Sequence, residues 1–137
     1  MTDYRVSDLR PADRDVVYRF LSEDAYWSKG MPRDAFDRAL ANSISFAAYS
    51  GDGFVGYARV VTDKATFAWL CDVFVVEAHR GHGVSKLLLD AITAHPDLQG
   101  LRNVLLATRD AHGLYARYGF APLAEPGRRM AIRRPYR

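Results

Sequence analysis

The sequence predicts an α/β fold in which strands and helices are interleaved along one uninterrupted chain. Three observations carry that expectation. Segments rich in strand formers alternate with segments whose apolar residues recur at helical spacing. The turn Ser50-Gly51-Asp52-Gly53 joins two of the strand segments as a hairpin. A glycine-rich turn, Arg80-Gly81-His82-Gly83-Val84-Ser85, stands between a long apolar strand and an amphipathic helix.

Taken in order, the alternating run Tyr4 to Leu9 predicts a first strand. Val16, Val17, Phe20 and Leu21 recur at helical spacing with Asp13 as the cap, and Ala35, Phe36, Ala39 and Leu40 repeat the pattern behind Pro32. Ile44 to Tyr49 and Phe54 to Val61 form the hairpin, and Thr62-Asp63-Lys64 makes the next turn. Phe67 to Val76 reads as a long central strand, because both of its side-chain parities are mainly apolar, with Asp72 the exception. Val84, Leu87, Leu88, Ala91 and Ile92 place one apolar stripe on a helix that ends at His95-Pro96. Val104 to Ala107 predicts a strand, and Asp110 caps a helix whose Ala111, Leu114, Tyr115 and Tyr118 share a face until Gly119. Phe120 to Leu123 and Met130 to Ile132 complete the list of strands.

A chain of 137 residues suits one domain, spanning 1–137. With 49% hydrophobic and 26% charged residues it has a globular composition. The apolar runs fall far short of the roughly 20 residues a membrane helix needs. Met1-Thr2-Asp3 does not begin a signal peptide, so the expectation is a cytoplasmic protein without a membrane partner. The single Cys71 lies in an apolar run, the setting of an inert buried thiol. A net charge of +3 suits a phosphate-bearing ligand. Arg128, Arg129, Arg133, Arg134 and Arg137 supply much of that charge. No stacking platform or recognition helix accompanies them, so they read as a solvated basic end and no nucleic-acid partner is expected.

The glycine-rich turn is placed to hold an anion, because free backbone N–H groups and the helix dipole converge there. Gly81 and Gly83 let the backbone approach phosphates closely, and Arg80 adds a charge-assisted contact. It lacks the third glycine of a dinucleotide fingerprint and the Gly-Lys-Ser/Thr of a Walker loop. His79 and His82 have no carboxylate or cysteine cluster beside them, so no metal is expected.

The run Asp72 to Leu89, with Arg80-Gly81-His82-Gly83-Val84-Ser85 at its centre, resembles the acetyl-CoA motif of the GNAT superfamily; Ser85 stands where that family usually has Gly or Ala. Ala111-His112-Gly113-Leu114-Tyr115-Ala116-Arg117-Tyr118-Gly119-Phe120 is similar to a second motif of the same family, in the right order. Tyr26-Trp27, Arg59 to Asp63 and Thr108 to His112 add a likeness to small bacterial members. The resemblance implies a central, mixed, mostly antiparallel sheet of six to seven strands, four helices and a cleft where the fourth and fifth strands splay. It implies an N-acetyltransferase with acetyl-CoA as co-substrate, bound by Phe74, Val75, Val76, Arg80, Gly81, His82, Gly83, Val84 and Ser85. The acceptor would be a small-molecule or peptide primary amine, and a homodimer would suit the family.

By the same resemblance, Tyr115 matches the general acid that protonates the departing thiolate, and Val75 N–H would polarise the acetyl carbonyl. From its pattern alone, Tyr115 reads first as a core tyrosine on the Ala111, Leu114, Tyr118 stripe, and only the Gly119-Phe120 context of the resemblance turns it toward the general acid. Asp72 is the first candidate for the base, since a carboxylate in an apolar strand pays desolvation; satisfaction by Arg59 or a neighbouring backbone group is the other reading. Glu77 and His112 are weaker candidates. The loop Glu23 to Gly30, with Tyr26 and Trp27, combines acids and aromatics suited to an ammonium ion, or else packs between helices. A non-catalytic acyl-CoA-binding regulatory protein is the alternative to the enzyme.

Overall fold

The computed structural model describes residues 3–136, and Arg137 of the basic end lies outside them. Five strands form one sheet in sequential order: β1 (Tyr4–Ser7), β2 (Ile44–Ser50), β3 (Gly53–Thr62), β4 (Phe67–Val75) and β5 (Asn103–Leu105). The first four pair antiparallel and β5 lies parallel to β4. The predicted hairpin is present, with Gly51 at a φ of 58° in its turn.

Helices α3 (Val84–Ala94) and α4 (His112–Ala116) cover one face of the sheet. Val84, Leu88 and Ile92, with Ala91 beside them, present the predicted apolar stripe to Ala58, Val60, Ala68 and Leu70, but Leu89 is buried there in place of the predicted Leu87, which is only half-buried. Helices α1 (Arg14–Arg19) and α2 (Arg33–Ala41) cover the other face, where Val17, Leu21 and Phe36 pack with Tyr57 and Phe74. One glycine sets the position of α3: a Cβ on Gly56 would lie 3.0 Å from Val84 Cγ1 and 3.2 Å from the Phe74 carbonyl oxygen. With no Cβ there, the start of α3 sits directly against β3.

The structure revises several expectations. Phe120 to Leu123 and Met130 to Ile132 have strand-forming composition but pair with nothing, so the sheet has five strands among the described residues instead of six to seven. β4 is not covered on both faces throughout, because α1 and α2 are short and reach only its Phe74 end; Phe67 and Trp69 remain 38% and 37% exposed. Asp13 stands at the N-cap of α1 as expected, but its carboxylate makes no capping bond and accepts from the Tyr49 hydroxyl at 2.7 Å instead. Asp110 does not cap α4: Ala111 is the capping residue, its N–H bonded to Thr108 Oγ1 at 3.0 Å. α4 ends at Ala116, and Tyr118 lies in the turn that follows. Among the described residues no helix is long and apolar enough to cross a membrane.

Candidate active site

The site begins with a change of register in β4. Tyr57 faces Phe74 but Arg59 faces Cys71, so one extra residue is accommodated on β4, and Asp72 there takes a φ of 57°. β5 pairs with β4 only from Phe67 to Trp69. From Leu70 to Val75 the β5-side edge of β4 therefore has no strand partner, and a notch opens between the two parallel strands. Val76 N–H reaches across to the Val55 carbonyl at 2.8 Å. Alternation along an extended chain then aims the N–H and C=O of Val75 the other way, into the notch. Arg80 Nε donates to that carbonyl at 3.1 Å, which fastens the glycine turn to the end of β4.

Beyond the turn, Gly83 caps α3 at a φ of 81° and Gly81 has a φ of 79°. Both lie in the left-handed region that favours glycine. Nothing lies within 4 Å of where a Cβ would stand on either, so the backbone is open to a ligand. Leu87 N–H makes the first helical bond, to the Gly83 carbonyl at 3.1 Å. No side chain caps the helix, so the N–H groups of Val84, Ser85 and Lys86 project freely at its positive end. His79 instead turns its Nδ1 to the Tyr4 hydroxyl at 3.1 Å.

A polar cluster closes the opposite side. The π-helical turn Phe20–Asp24 releases a loop pinned at both ends, by Ala25 N–H to the Phe20 carbonyl at 2.9 Å and Gly30 N–H to the Ser22 carbonyl at 2.8 Å. Ser28 is buried and donates to the Leu21 carbonyl at 2.7 Å, so Tyr26 and Trp27 are carried outward. Trp27 Nε1 donates to Asp72 Oδ1 at 2.9 Å, and Arg59 Nε donates to Asp72 Oδ2 at 2.7 Å. Both carboxylate oxygens are thereby engaged. Burial alone would favour a neutral Arg59, but the Asp72 carboxylate outweighs it and leaves the guanidinium pKa above its ordinary value.

Tyr115 is buried on α4, with its ring edge-on to Phe120 at 6.0 Å. Burial pushes its phenol above the ordinary value of 10, and nearby Asp110 and Tyr26 push in the same direction. Arg109, between β5 and α4, stacks its guanidinium 3.5 Å from the centre of the Tyr26 ring. Tyr26, Trp27 and Asp72, read separately from the sequence, are thus joined, Tyr26 edge-on to Trp27 with ring centres 5.1 Å apart and Trp27 bonded to Asp72, while Tyr115 lies apart in the core under α3 and α4. Glu77 and His112 are exposed. Arg109 was missed as a site residue, because only the fold brings its loop over Tyr26. The Trp27–Asp72 contact joins positions 45 apart and leaves no trace in local spacing.

A cavity of about 670 Å³ lies under β5 between α3 and α4, lined mainly by apolar side chains, with Tyr115 in its wall. It does not extend to Phe74–Val76 or to the glycine turn.

The family model for the acetyltransferase (GNAT) domain matches residues 41–122, a span that contains the notch, the glycine turn and Tyr115. The chain belongs to the GNAT acetyltransferase family. A protein of Gibberella zeae that bears an acetyltransferase name is 33% identical over 138 aligned positions, covering 84% of this chain and 77% of that one. A crystal structure of a GNAT-family protein from Xanthomonas campestris superposes with a TM-score of 0.93 at 48% identity, covering 98% of this chain and 96% of the other. AAC(6')-Iy, solved with the bisubstrate analogue CoA-S-monomethyl-acetylneamine, shares the fold at a TM-score of 0.64 and 19% identity, over 96% and 97% of the two chains. The GNAT fold, with its notch between the fourth and fifth strands, is the one the two sequence motifs implied.

Proposed function

We propose that this GNAT protein transfers an acetyl group from acetyl-CoA directly to the nitrogen of a primary amine, with no metal. The observation that carries the reading is the row of free N–H groups from Val84 to Lys86 behind Gly81 and Gly83, beside a β4 edge with no strand partner. An anion-binding helix start and an exposed strand edge suit the two ends of the pantetheine-diphosphate arm. AAC(6')-Iy, of the same fold and solved in complex with a CoA-containing bisubstrate analogue, supports the same choice of donor.

Acetyl-CoA supplies the reactive thioester. Val75 N–H, aimed into the notch, would donate to the acetyl oxygen, a contact of the kind worth about 3 to 4 kcal/mol in barrier. Phe74 and Val76 frame that donor. Phe74 stacks on Phe20 with ring centres 3.9 Å apart, which holds the strand end rigid. Arg80, Gly81, His82, Gly83, Val84 and Ser85 would bind the diphosphate. Tyr115, protonated at neutral pH, would give its proton to the leaving sulfur. Tyr26 and Trp27 would flank the acceptor, with their aromatic faces toward its ammonium group. Asp72 would take the amine's proton only after Trp27 releases Oδ1; while both its bonds persist, it fixes the loop on the notch.

That full engagement of Asp72 is the one observation favouring a second reading, an acyl-CoA-binding regulator without turnover. Calorimetric titration of acetyl-CoA, followed by thiol release against a panel of amines, separates the two. Binding with release establishes the transferase. Binding without release across the panel favours the regulator, and absence of binding refutes both.

A further inference from the structure

The stack of Arg109 on Tyr26 spans the mouth of the notch. Tyr26 belongs to the loop that Trp27 ties to Asp72 on β4, and Arg109 lies just beyond the end of β5. Their contact therefore bridges the gap where those two strands part.

Four arginines sit over aromatic rings among the described residues: Arg5 and Arg10 over Tyr49, Arg33 over Tyr18, and Arg109 over Tyr26. The first three also use their N–H groups within the chain. Arg5 donates to the Gly51 carbonyl, Arg10 pairs with Asp52, and Arg33 pairs with Asp15 and Asp37. Arg109 makes the closest stack of the four, 3.5 Å from the ring centre. Yet among the described residues its guanidinium donates no hydrogen bond and meets no carboxylate. Its neighbour Asp110 forms no ion pair with it either; that charge acts on the Tyr115 phenol and raises its pKa. Asp72, the carboxylate that anchors the Trp27 side of the loop, is already neutralised by Arg59.

A guanidinium seated on a ring face keeps its N–H groups around its own rim, where they remain free to donate. Tyr26 thus fixes the orientation of a charged fork whose edge is unoccupied. A carboxylate matches such a fork with two parallel charge-assisted bonds. The charge at Tyr26 points the same way: a cation of the chain's own is already on that ring, so a second cation beside it is repelled and an anion is drawn in. The face of Trp27, which carries no arginine, is left for the ammonium end.

We propose that Arg109 determines the acceptor specificity of this site by binding the carboxylate of an amino carboxylic acid whose ammonium group lies toward Trp27. The assignment rests on the acetyl-transfer reading for what is done to that amine, and on the Arg109–Tyr26 contact for its recognition. Binding is all that the role of Arg109 requires.

Calorimetric titration into the full chain holding coenzyme A tests it without turnover. The probes are matched pairs, each standard amino acid against the amine that lacks its carboxyl group, such as lysine against cadaverine and phenylalanine against phenethylamine. At least one amino acid should bind about tenfold or more tightly than its amine, the scale of a hydrogen-bonded charge. Arg109→Met keeps an apolar side chain on Tyr26 and should erase that preference by weakening the amino acid alone, with the amine and the Kd for acetyl-CoA unchanged. Arg109→Lys should restore part of it. Thiol release from acetyl-CoA with the same pairs separates this inference from the transfer reading. A carboxylate preference in binding without thiol release counts against transfer and supports the role of Arg109. Thiol release that is indifferent to the carboxyl group upholds transfer and overturns the inference. Equal weakening of both members of a pair in Arg109→Met, a weaker Kd for acetyl-CoA in that variant, or no binding by any pair overturns it as well.

Discussion

Replacing Asp72 by asparagine removes a charge while keeping the shape. The asparagine oxygen still accepts from Trp27 Nε1, and asparagine tolerates the left-handed backbone at a φ of 57°, so neither the loop contact nor the backbone changes. What is lost is the partner of Arg59, held at 2.7 Å with side-chain exposures of 16% for Arg59 and 5% for Asp72. An exposed pair would contribute at most about 1 kcal/mol. Breaking a buried one leaves an uncompensated charge and costs about 3 to 5 kcal/mol, out of a total stability of about 5 to 15 kcal/mol. At roughly 3 to 5 °C per kcal/mol for a chain of this size, the midpoint of thermal unfolding should fall by about 10 to 20 °C. Urea unfolding followed by fluorescence measures the loss. Arg59→Met combined with Asp72→Asn should cost less than the two single changes added together, because no charge is then stranded. A loss below about 1 kcal/mol for Asp72→Asn would refute the reasoning, since the pair would then behave as a solvated one.

Gly56→Ala should destabilise by about 1 to 3 kcal/mol in the same assay, because its Cβ would overpack against Val84 and the Phe74 carbonyl. It should also weaken acetyl-CoA binding, because the start of α3 must shift; calorimetry reads this. Tyr115→Phe should lower kcat about 10² to 10⁴-fold with little change in the Kd for acetyl-CoA. The acid works while protonated and is lost as pH rises through its folded pKa, which burial raises from the ordinary 10; turnover should therefore show no fall assignable to this group between pH 7 and about pH 9. The Cys71 thiol, pushed up to about 12 by burial and then by the Asp72 charge, should alkylate more slowly in the native protein than in urea, as mass spectrometry would show.

Local spacing made the hairpin, α3 and the apolar length of β4 legible, because period two and period 3.6 are written into neighbouring residues. The glycines at 81 and 83 were legible for the same reason: a positive φ at a helix start leaves a residue-level mark. Tyr115 and Asp72 were legible only as alternatives, core or chemistry, since a tyrosine on a stripe and an aspartate in a strand admit both. Arg59 was foreseen as a partner for Asp72, but Trp27 was not.

By itself, the sequence determined the order of elements, the anion-binding turn and the family, all of which rest on contiguous residues. Only the tertiary structure decided that Tyr26, Trp27, Arg59, Asp72 and Arg109 are linked, because those contacts join distant positions and carry no periodic signature. It also decided which strands pair. Met130 to Ile132 has the composition of a strand, but a strand exists only where another backbone edge accepts it, and within one chain that edge is left free.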